Sequence, residues 1–359
     1  MRVRGDLTVE RHRYLGRSYW VVKEPLALKY FRFQEEEYSV LQLLDGERSL
    51  QEIKDAFEVQ FRPQKVTLTD IHQFIGQLHR GGLVISEAPQ QGKSLYRRAG
   101  EVRRREWTQR LSSVLAIRFK GIDPEWILNF GYPLVRWMFH PVAVYLSLAM
   151  ALAALLLVTV QFETFTGRLP TFHEFFGPKN WLLLALVLGV TKVLHEFGHG
   201  FSCKHFGGEC HEIGLMLLVL TPCLYCNVSD SWLLRSKWRR AAIGAAGMYV
   251  ELVLAALATF VWWFTQPDTT INLLALQVMF ICSVSTILFN GNPLLRYDGY
   301  YILSDTLEIP NLQQKSRQIL GRLASQHCLG LEVPENPFLP QQNQILFASY
   351  TIASTIYRW

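Results

Sequence analysis

The chain has 359 residues, half of them hydrophobic and 18% charged, with a formal net charge of +6. Several runs of about 20 apolar residues exclude an ordinary soluble enzyme, and six scattered cysteines (Cys203, Cys210, Cys223, Cys226, Cys282, Cys328) exclude a disulfide framework. The positive balance suits nucleic acid or a membrane surface, and the placement of the charges decides between them.

Residues 1–90 read as a small soluble α+β domain. No apolar stretch opens it, so no cleavable signal peptide is expected. Tyr19-Trp20-Val21-Val22 and the run 26–33 are strand-like. A helix is expected over 35–44, stopped by Asp45-Gly46. Ser49 with Glu52 forms a capping box that opens a second helix with Leu50, Ile53 and Phe57 inward. A third helix carries Ile71, Phe74, Ile75 and Leu78, ends at Gly81-Gly82 and leads into a strand over 83–85. This is the order of a winged helix. The stretches 41–50 and 74–83 resemble the PqqD-type peptide-recognition domains, a likeness that spans about a quarter of the chain. A winged helix can also read DNA, but the third helix offers His72, Gln73, Gln77, His79 and Arg80, little charge for phosphates. No nucleic-acid partner is therefore expected.

Residues 91–137 form a basic connector with Arg97, Arg98, Arg103, Arg104, Arg105, Arg110, Arg118 and Lys120. Trp107, Leu111, Val114, Leu115, Arg118 and Phe119 recur at helical spacing, and Trp126 and Trp137 follow. This suits an amphipathic segment lying on an anionic cytoplasmic leaflet; the plainer alternative is a solvated linker helix.

Four spans are expected at 141–160, 181–201, 241–264 and 271–290. The loops between them alternate in charge: 161–180 carries only Arg168 and Lys179, and the next loop has Arg235, Lys237, Arg239 and Arg240. Residues 266–270 have neither lysine nor arginine. The positive-inside rule puts the N-terminus in the cytoplasm, with His199 and the end of the fourth span towards that side. The chain thus reads as a multi-pass protein of the cytoplasmic membrane.

The second span carries His195-Glu196-Phe197-Gly198-His199 after an almost wholly apolar 181–190. Histidines at i and i+4 lie on one helical face and can share one metal ion, with the glutamate placed to take a proton from a bound water. A zinc motif at this depth points to hydrolysis inside a membrane. Downstream, the stretch 211–220 is apolar but too short to cross, and is expected as a membrane-dipped strand or hairpin beside the metal. Its edge would pair with an extended substrate.

At the end of the fourth span stands Asn290-Gly-Asn-Pro293-Leu-Leu-Arg-Tyr-Asp298-Gly299. Together with the histidine motif two spans earlier, it resembles the N-x-x-P-x-x-x-x-D-G signature of the site-2 protease family of intramembrane zinc metalloproteases. The resemblance covers residues 181–301. It implies a helical membrane core with Zn2+ on His195, His199 and Asp298, an open fourth position for water, and Glu196 as the base. It further implies that Asn290 hydrogen-bonds an extended substrate or the oxyanion, and that Pro293 and Gly299 let the backbone turn Asp298 inward. The family's G-P-x-x-N-like element reads here Gly247-Met-Tyr-Val-Glu251. Glu251 either stands in for that asparagine near the oxyanion or pairs with Lys192, another intramembrane charge.

Other candidates read more blandly. Cys203 continues the His195/His199 face and is expected as a packing thiol rather than a ligand. Cys223-Leu-Tyr-Cys226 has C-x-x-C spacing but no second pair, a weak sign of redox or metal chemistry. His173, His205 and His211 are expected at surfaces or interfaces. The run 344–359 looks like the start of a fifth span with Ile345, Ala348, Ile352 and Ile356 on one side, which suggests that further spans follow.

The expected organisation is a winged-helix domain over 1–90, a connector over 91–137, a metalloprotease core over 138–305, and a cytoplasmic loop with the start of a further span over 306–359. The expected activity is hydrolysis of peptide bonds in a membrane-associated protein or peptide, with the bilayer and secretion or maturation proteins as partners. Two alternatives remain: a non-proteolytic maturation or export subunit with a structural metal, and a membrane-tethered transcription regulator. Glu196 argues against the first, because a structural site needs no base.

Overall fold

The computed structural model describes residues 1–14, 17–26, 28–85, 116–119, 121–218, 221–267, 269–309, 311–330 and 343–358. The chain is mainly α-helical, with an α+β region at its N-terminus. It forms two compact units. One holds residues 1–120 with 215–223 and 229–235, and the other 121–214 with 224–228 and 236–359.

In the first unit, β2 (Thr8–Tyr14), β3 (Arg17–Glu24) and β4 (Lys29–Gln34) make an antiparallel meander with Val22 opposite Val9 and Phe31. Strand β2 is not visible as a strand in the sequence, because charged residues break its apolar alternation. The expected strand over 26–33 starts only at Lys29, since Leu28 adopts a positive φ in the preceding turn. Helices α1 (Glu35–Gln42), α2 (Leu50–Gln60) and α3 (Leu68–Gly81) follow, and β5 (Val84–Ile85) pairs with β1 (Arg2–Val3). Ser49 caps α2 in the foreseen capping box, and Thr67 with Asp70 makes a second on α3. Gly82 ends α3 in the left-handed conformation that glycine takes without strain. The apolar faces meet in a core of Val22, Phe33, Leu41, Ile53, Ile75 and Leu83.

Where it is described, the connector departs from its expected helix at residues 116–118. Residues 91–115 lie outside the described residues, whereas Ala116–Arg118 form a strand, β6, against Leu218–Met216. Backbone pairing with an apolar strand overrides a helical period that rests on a few side chains. A helix does follow as α4 (Glu125–Val135), which buries Leu128 and leaves Trp126, Phe130 and Leu134 exposed on one stripe, continued by Trp137.

The apolar stretch after the second span forms β7 (Ile213–Leu218), and β8 (Thr221–Cys226) follows. The order β6-β7-β8 corrects one expectation. Strand β7 is the middle strand, so both its edges are taken and it cannot itself accept a substrate strand.

Among the described residues, four helices are long and apolar enough to cross a membrane: α5 (Pro141–Val160), α6 (Trp181–His205), α7 (Lys237–Phe264), and α8 (Thr270–Val284) with the π turn Ser285–Asn290 that continues it. The chain is therefore built as a membrane protein. The two expected spans nearest the metal motif are longer than foreseen, because their polar ends stay helical. Arg240, for example, donates to Asp305 at 2.9 Å. Then come α9 (Asp298–Thr306), α10 (Leu312–Leu329) and α11 (Gln344–Arg358). The fifteen residues of α11 are fewer than a crossing needs. Phe347, Thr351 and Ser354 turn inward, with Ser354 Oγ donating to Leu294 O at 2.9 Å. Ile345, Ile352 and Ile356 stay exposed, while Ala348 is buried.

Candidate metal centre

The three ligands of the centre come from two helices. His195 and His199 project from one face of α6, and Asp298 opens α9. One ligand atom from each of the three lies within 4.8 Å of the others. The two Nε2 atoms are 3.1 Å apart, and Asp298 Oδ2 stands 3.1 Å from His195 Nε2 and 3.4 Å from His199 Nε2. Ligands about 2.0–2.1 Å from a tetrahedral zinc are separated by about 3.3 Å, so the triangle has the right size.

Its chemistry fits as well. His199 Nδ1 donates to the Ile243 carbonyl at 2.8 Å, which leaves Nε2 as a lone-pair nitrogen. His195 Nδ1 lies 3.1 Å from Glu251 Oε1, a short but bent approach in which the N–H does not point straight at the oxygen. That pairing likewise leaves Nε2 for the centre. Asp298 Oδ2 is buried without a hydrogen-bond donor. Three lone pairs converging with no donor repel one another unless a cation lies among them. The donor set of two imidazoles and one carboxylate is that of a catalytic zinc with an open position.

Helix α7 makes room for this. A Cβ on Gly247 would sit 2.4 Å from His195 Nε2 and 2.5 Å from His199 Nε2, so only glycine leaves the space open. Ile243, Gly247 and Glu251 are four residues apart and share one face. This face carries the His199 acceptor, the gap and the His195 acceptor in turn.

Glu251 is 1% exposed. Besides His195, it accepts from Lys192 Nζ at 2.7 Å, Ser285 Oγ at 3.3 Å, Thr286 Oγ1 at 2.6 Å and Asn290 Nδ2 at 3.2 Å. Lys192 also donates to Ser285 Oγ. The sequence left Glu251 either near the oxyanion or paired with Lys192, and the structure brings it to Lys192. It also brings it to His195 and to the π turn, neither of which the sequence suggested. A lone polar residue at a span position one turn from the Gly247 gap was the available signal. Asn290 gives both amide hydrogens away, to Glu251 and, at 3.3 Å, to Ser285 Oγ. Because a carboxylate only accepts, the amide cannot turn the other way, and Oδ1 is the atom left for a ligand. Asp298 reaches the centre as the first residue of α9, where Gly299 packs against the Gly291 carbonyl so closely that a Cβ would lie 2.6 Å from it.

Glu196 is half-buried next to His195 and near enough to His199, His195 and Asp298 for their charges to act on it. Cys203, fully buried, points its thiol at Glu209 O at 3.8 Å and is not one of the three clustered ligands. The Cys226 sulfur lies 3.2 Å from Cys210, sixteen residues away, and sharing a hydrogen bond with Cys210 together with burial pushes its thiol up. His205 stacks on Phe139 and meets Tyr132 Oη, His211 faces Asp123 and Glu209, and His173 is exposed.

Over 130 residues the chain is 29% identical to a Bacillus subtilis (strain 168) protein whose name is "Putative peptide zinc metalloprotease protein YydH". The match covers 36% of this chain and 49% of that protein, so the chain spans about half the length of the curated relative it matches. No family model and no solved structure matches.

Proposed function

We propose that the chain is a zinc endopeptidase that cuts peptide bonds of a membrane-associated protein or peptide within or at the bilayer. The observation that carries this is the convergence of His195 Nε2, His199 Nε2 and Asp298 Oδ2 beside Glu196. The name of the Bacillus subtilis relative supports a zinc- and peptide-directed role. Bound Zn2+ would make a water more acidic and polarise the substrate carbonyl. In this reading His195, His199 and Asp298 hold the ion. The Glu196 carboxylate takes the proton of the attacking water and returns it to the leaving amine. Asn290 Oδ1 accepts from a substrate N–H. Gly247 keeps the wall of the site low enough for the ligands to meet.

Placement in a cytoplasmic membrane with the N-terminus inside follows from the basic loops. The stripe Trp126, Phe130 and Leu134 on α4, continued by Trp137, supports a segment lying in the headgroup layer. Residues 1–90 act as a PqqD-like peptide-holding module, and secretion or maturation proteins are the expected partners rather than nucleic acid. The test is zinc content together with cleavage of a transmembrane reporter. His195→Ala, His199→Ala and Asp298→Ala each lose zinc, whereas Glu196→Gln keeps zinc and stops cleavage. Cleavage by the Glu196→Gln protein at the wild-type rate sinks the proposal. Labelling of Lys93→Cys only from outside the cell reverses the topology.

A further inference from the structure

A carboxylate in a membrane span needs partners, and Glu251 has more than charge pairing with Lys192 requires. Its five donors come from two places: Lys192 and His195 on α6, and Ser285, Thr286 and Asn290 on the π turn that ends α8. The Ser285 hydroxyl donates once, to Glu251, and accepts from Lys192 and Asn290, so its capacity is filled. The group is thus a closed network with one loose member, the bent contact to His195 Nδ1. That nitrogen is also the one whose partner decides which face of the ring turns to the metal. His199 has the Ile243 carbonyl for this purpose, a fixed backbone group at 2.8 Å. His195 has only the Glu251 side chain, eight residues further along the same helix face.

We propose that Glu251 is a positioning residue of the metal centre, holding the His195 ring by Nδ1 so that Nε2 faces the ion, and itself held in place by Lys192, Thr286 and Asn290. The π turn is what brings the last two in: it sets Thr286 and Asn290 on one oxygen, Oε2, while Oε1 takes Lys192, His195 and Ser285. Lys192 neutralises the carboxylate, so Glu251 orients the ring without adding a net negative charge behind it. Outer acceptors of this kind fix the tautomer and orientation of metal-bound histidines.

The proposal rests on the zinc reading, and its test uses the full chain in detergent or nanodiscs. Zn2+ affinity is measured by chelator competition, and ligand geometry by the visible absorption bands of the Co2+-loaded protein. Glu251→Ala weakens Zn2+ binding about 10–100-fold and alters the Co2+ bands. Glu251→Gln, which keeps an acceptor oxygen at the same reach, recovers much of that loss. Glu251→Asp keeps the charge for Lys192 but draws back by one methylene, and binds more weakly than Glu251→Gln; it also serves where Glu251→Ala does not accumulate. Wild-type affinity and an unchanged Co2+ spectrum in Glu251→Ala or Glu251→Asp overturn the proposal, as does Glu251→Gln binding no better than Glu251→Asp. A wild-type chain that binds no zinc overturns the metal reading and this proposal together. If the wild type binds zinc, the variants weaken it and no peptide bond is cut, only the hydrolytic reading falls.

Discussion

The two units choose their interiors by opposite rules. In the N-terminal unit, Val22, Leu41, Ile53, Ile75 and Leu83 are inside, and the charged residues that join them, Lys23, Glu24 and Asp230, are ion-paired. Among the membrane helices, Leu146, Leu182, Leu186, Phe264 and Ile287 are exposed, while Thr191, His195, His199, Glu251, Gln277 and Asn290 are buried. Water drives the first arrangement. Lipid is as apolar as leucine and drives nothing of the kind, so helices meet through small residues and polar contacts. A buried Leu83 therefore speaks of stability. A buried Glu251 speaks of a job.

The contrast is sharpest where a methyl group is added to the polar interior. Gly247→Ala places a Cβ 2.4 Å from His195 Nε2, a collision with two ring nitrogens that cannot both keep their place. Zinc binding is expected to fall by at least about 100-fold, since two of three ligands are displaced. Gly189→Ala, on the helix that carries both histidines, meets nothing within 4 Å and leaves zinc content unchanged. Equal zinc in both variants would mean that Gly247 is not a wall of the site.

Removing methyl groups from the apolar interior acts on a different quantity. Leu83→Ala, fully buried in the N-terminal core, is expected to destabilise that unit by about 2–5 kcal/mol, read as a lower urea midpoint for proteolytic release of residues 1–90. Zinc content stays as in the wild type. Leu182→Ala, on a residue 76% exposed, changes neither reading. A Leu182→Ala chain as damaged as Leu83→Ala would break the comparison, because that leucine would then be packed rather than facing lipid.

The same contrast explains what could be read without a structure. Periodicity and caps are local, and they marked α2, α3 and the four spans to within a few residues. The histidine motif and the Asp298-Gly299 signature were legible because a metal site of this kind demands fixed residue types at fixed spacing. What stayed hidden depends on partners far apart in the chain. Glu251 meets Lys192 across 59 residues, Cys226 meets Cys210 across sixteen, and the π turn that gathers Ser285, Thr286 and Asn290 has no period of its own. The middle position of β7 was missed for the same reason, since pairing order is set by the whole sheet.

Smaller effects belong to the helix ends of the aqueous unit. Thr67 Oγ1 accepts from the Asp70 N–H at 3.2 Å and caps α3, whose apolar face holds Ile71, Ile75 and Leu78 in the core. Thr67→Ala is expected to cost about 1 kcal/mol in the same urea assay, less than Leu83→Ala and without effect on zinc. A loss equal to that of Leu83→Ala would show that the cap also sets the packing of the core.

The smallest effect expected is one of pH, and its sign follows from the capping boxes. Hydrogen bonds from the Ser49 backbone and hydroxyl hold the Glu52 carboxyl below its ordinary value, and the Thr67 hydroxyl and backbone do the same for Asp70. Both carboxylates are therefore easier to protonate in the unfolded chain than in the folded one. Their contribution is fully present at neutral pH, begins to fade as pH falls through the ordinary carboxylate range near about 4, and is gone below the depressed folded values. Both groups lie at the surface, so the slope is shallow, and Asp6 and Asp45, also held low by their partners, add to it. The decisive quantity is thus a difference. Glu52→Gln combined with Asp70→Asn keeps acceptors for the two helix starts but removes the titration. The urea midpoint of the N-terminal unit should then fall less steeply below about pH 4 than in the wild type. Parallel curves would assign the acid sensitivity of this unit to other carboxylates and leave the two boxes as neutral caps.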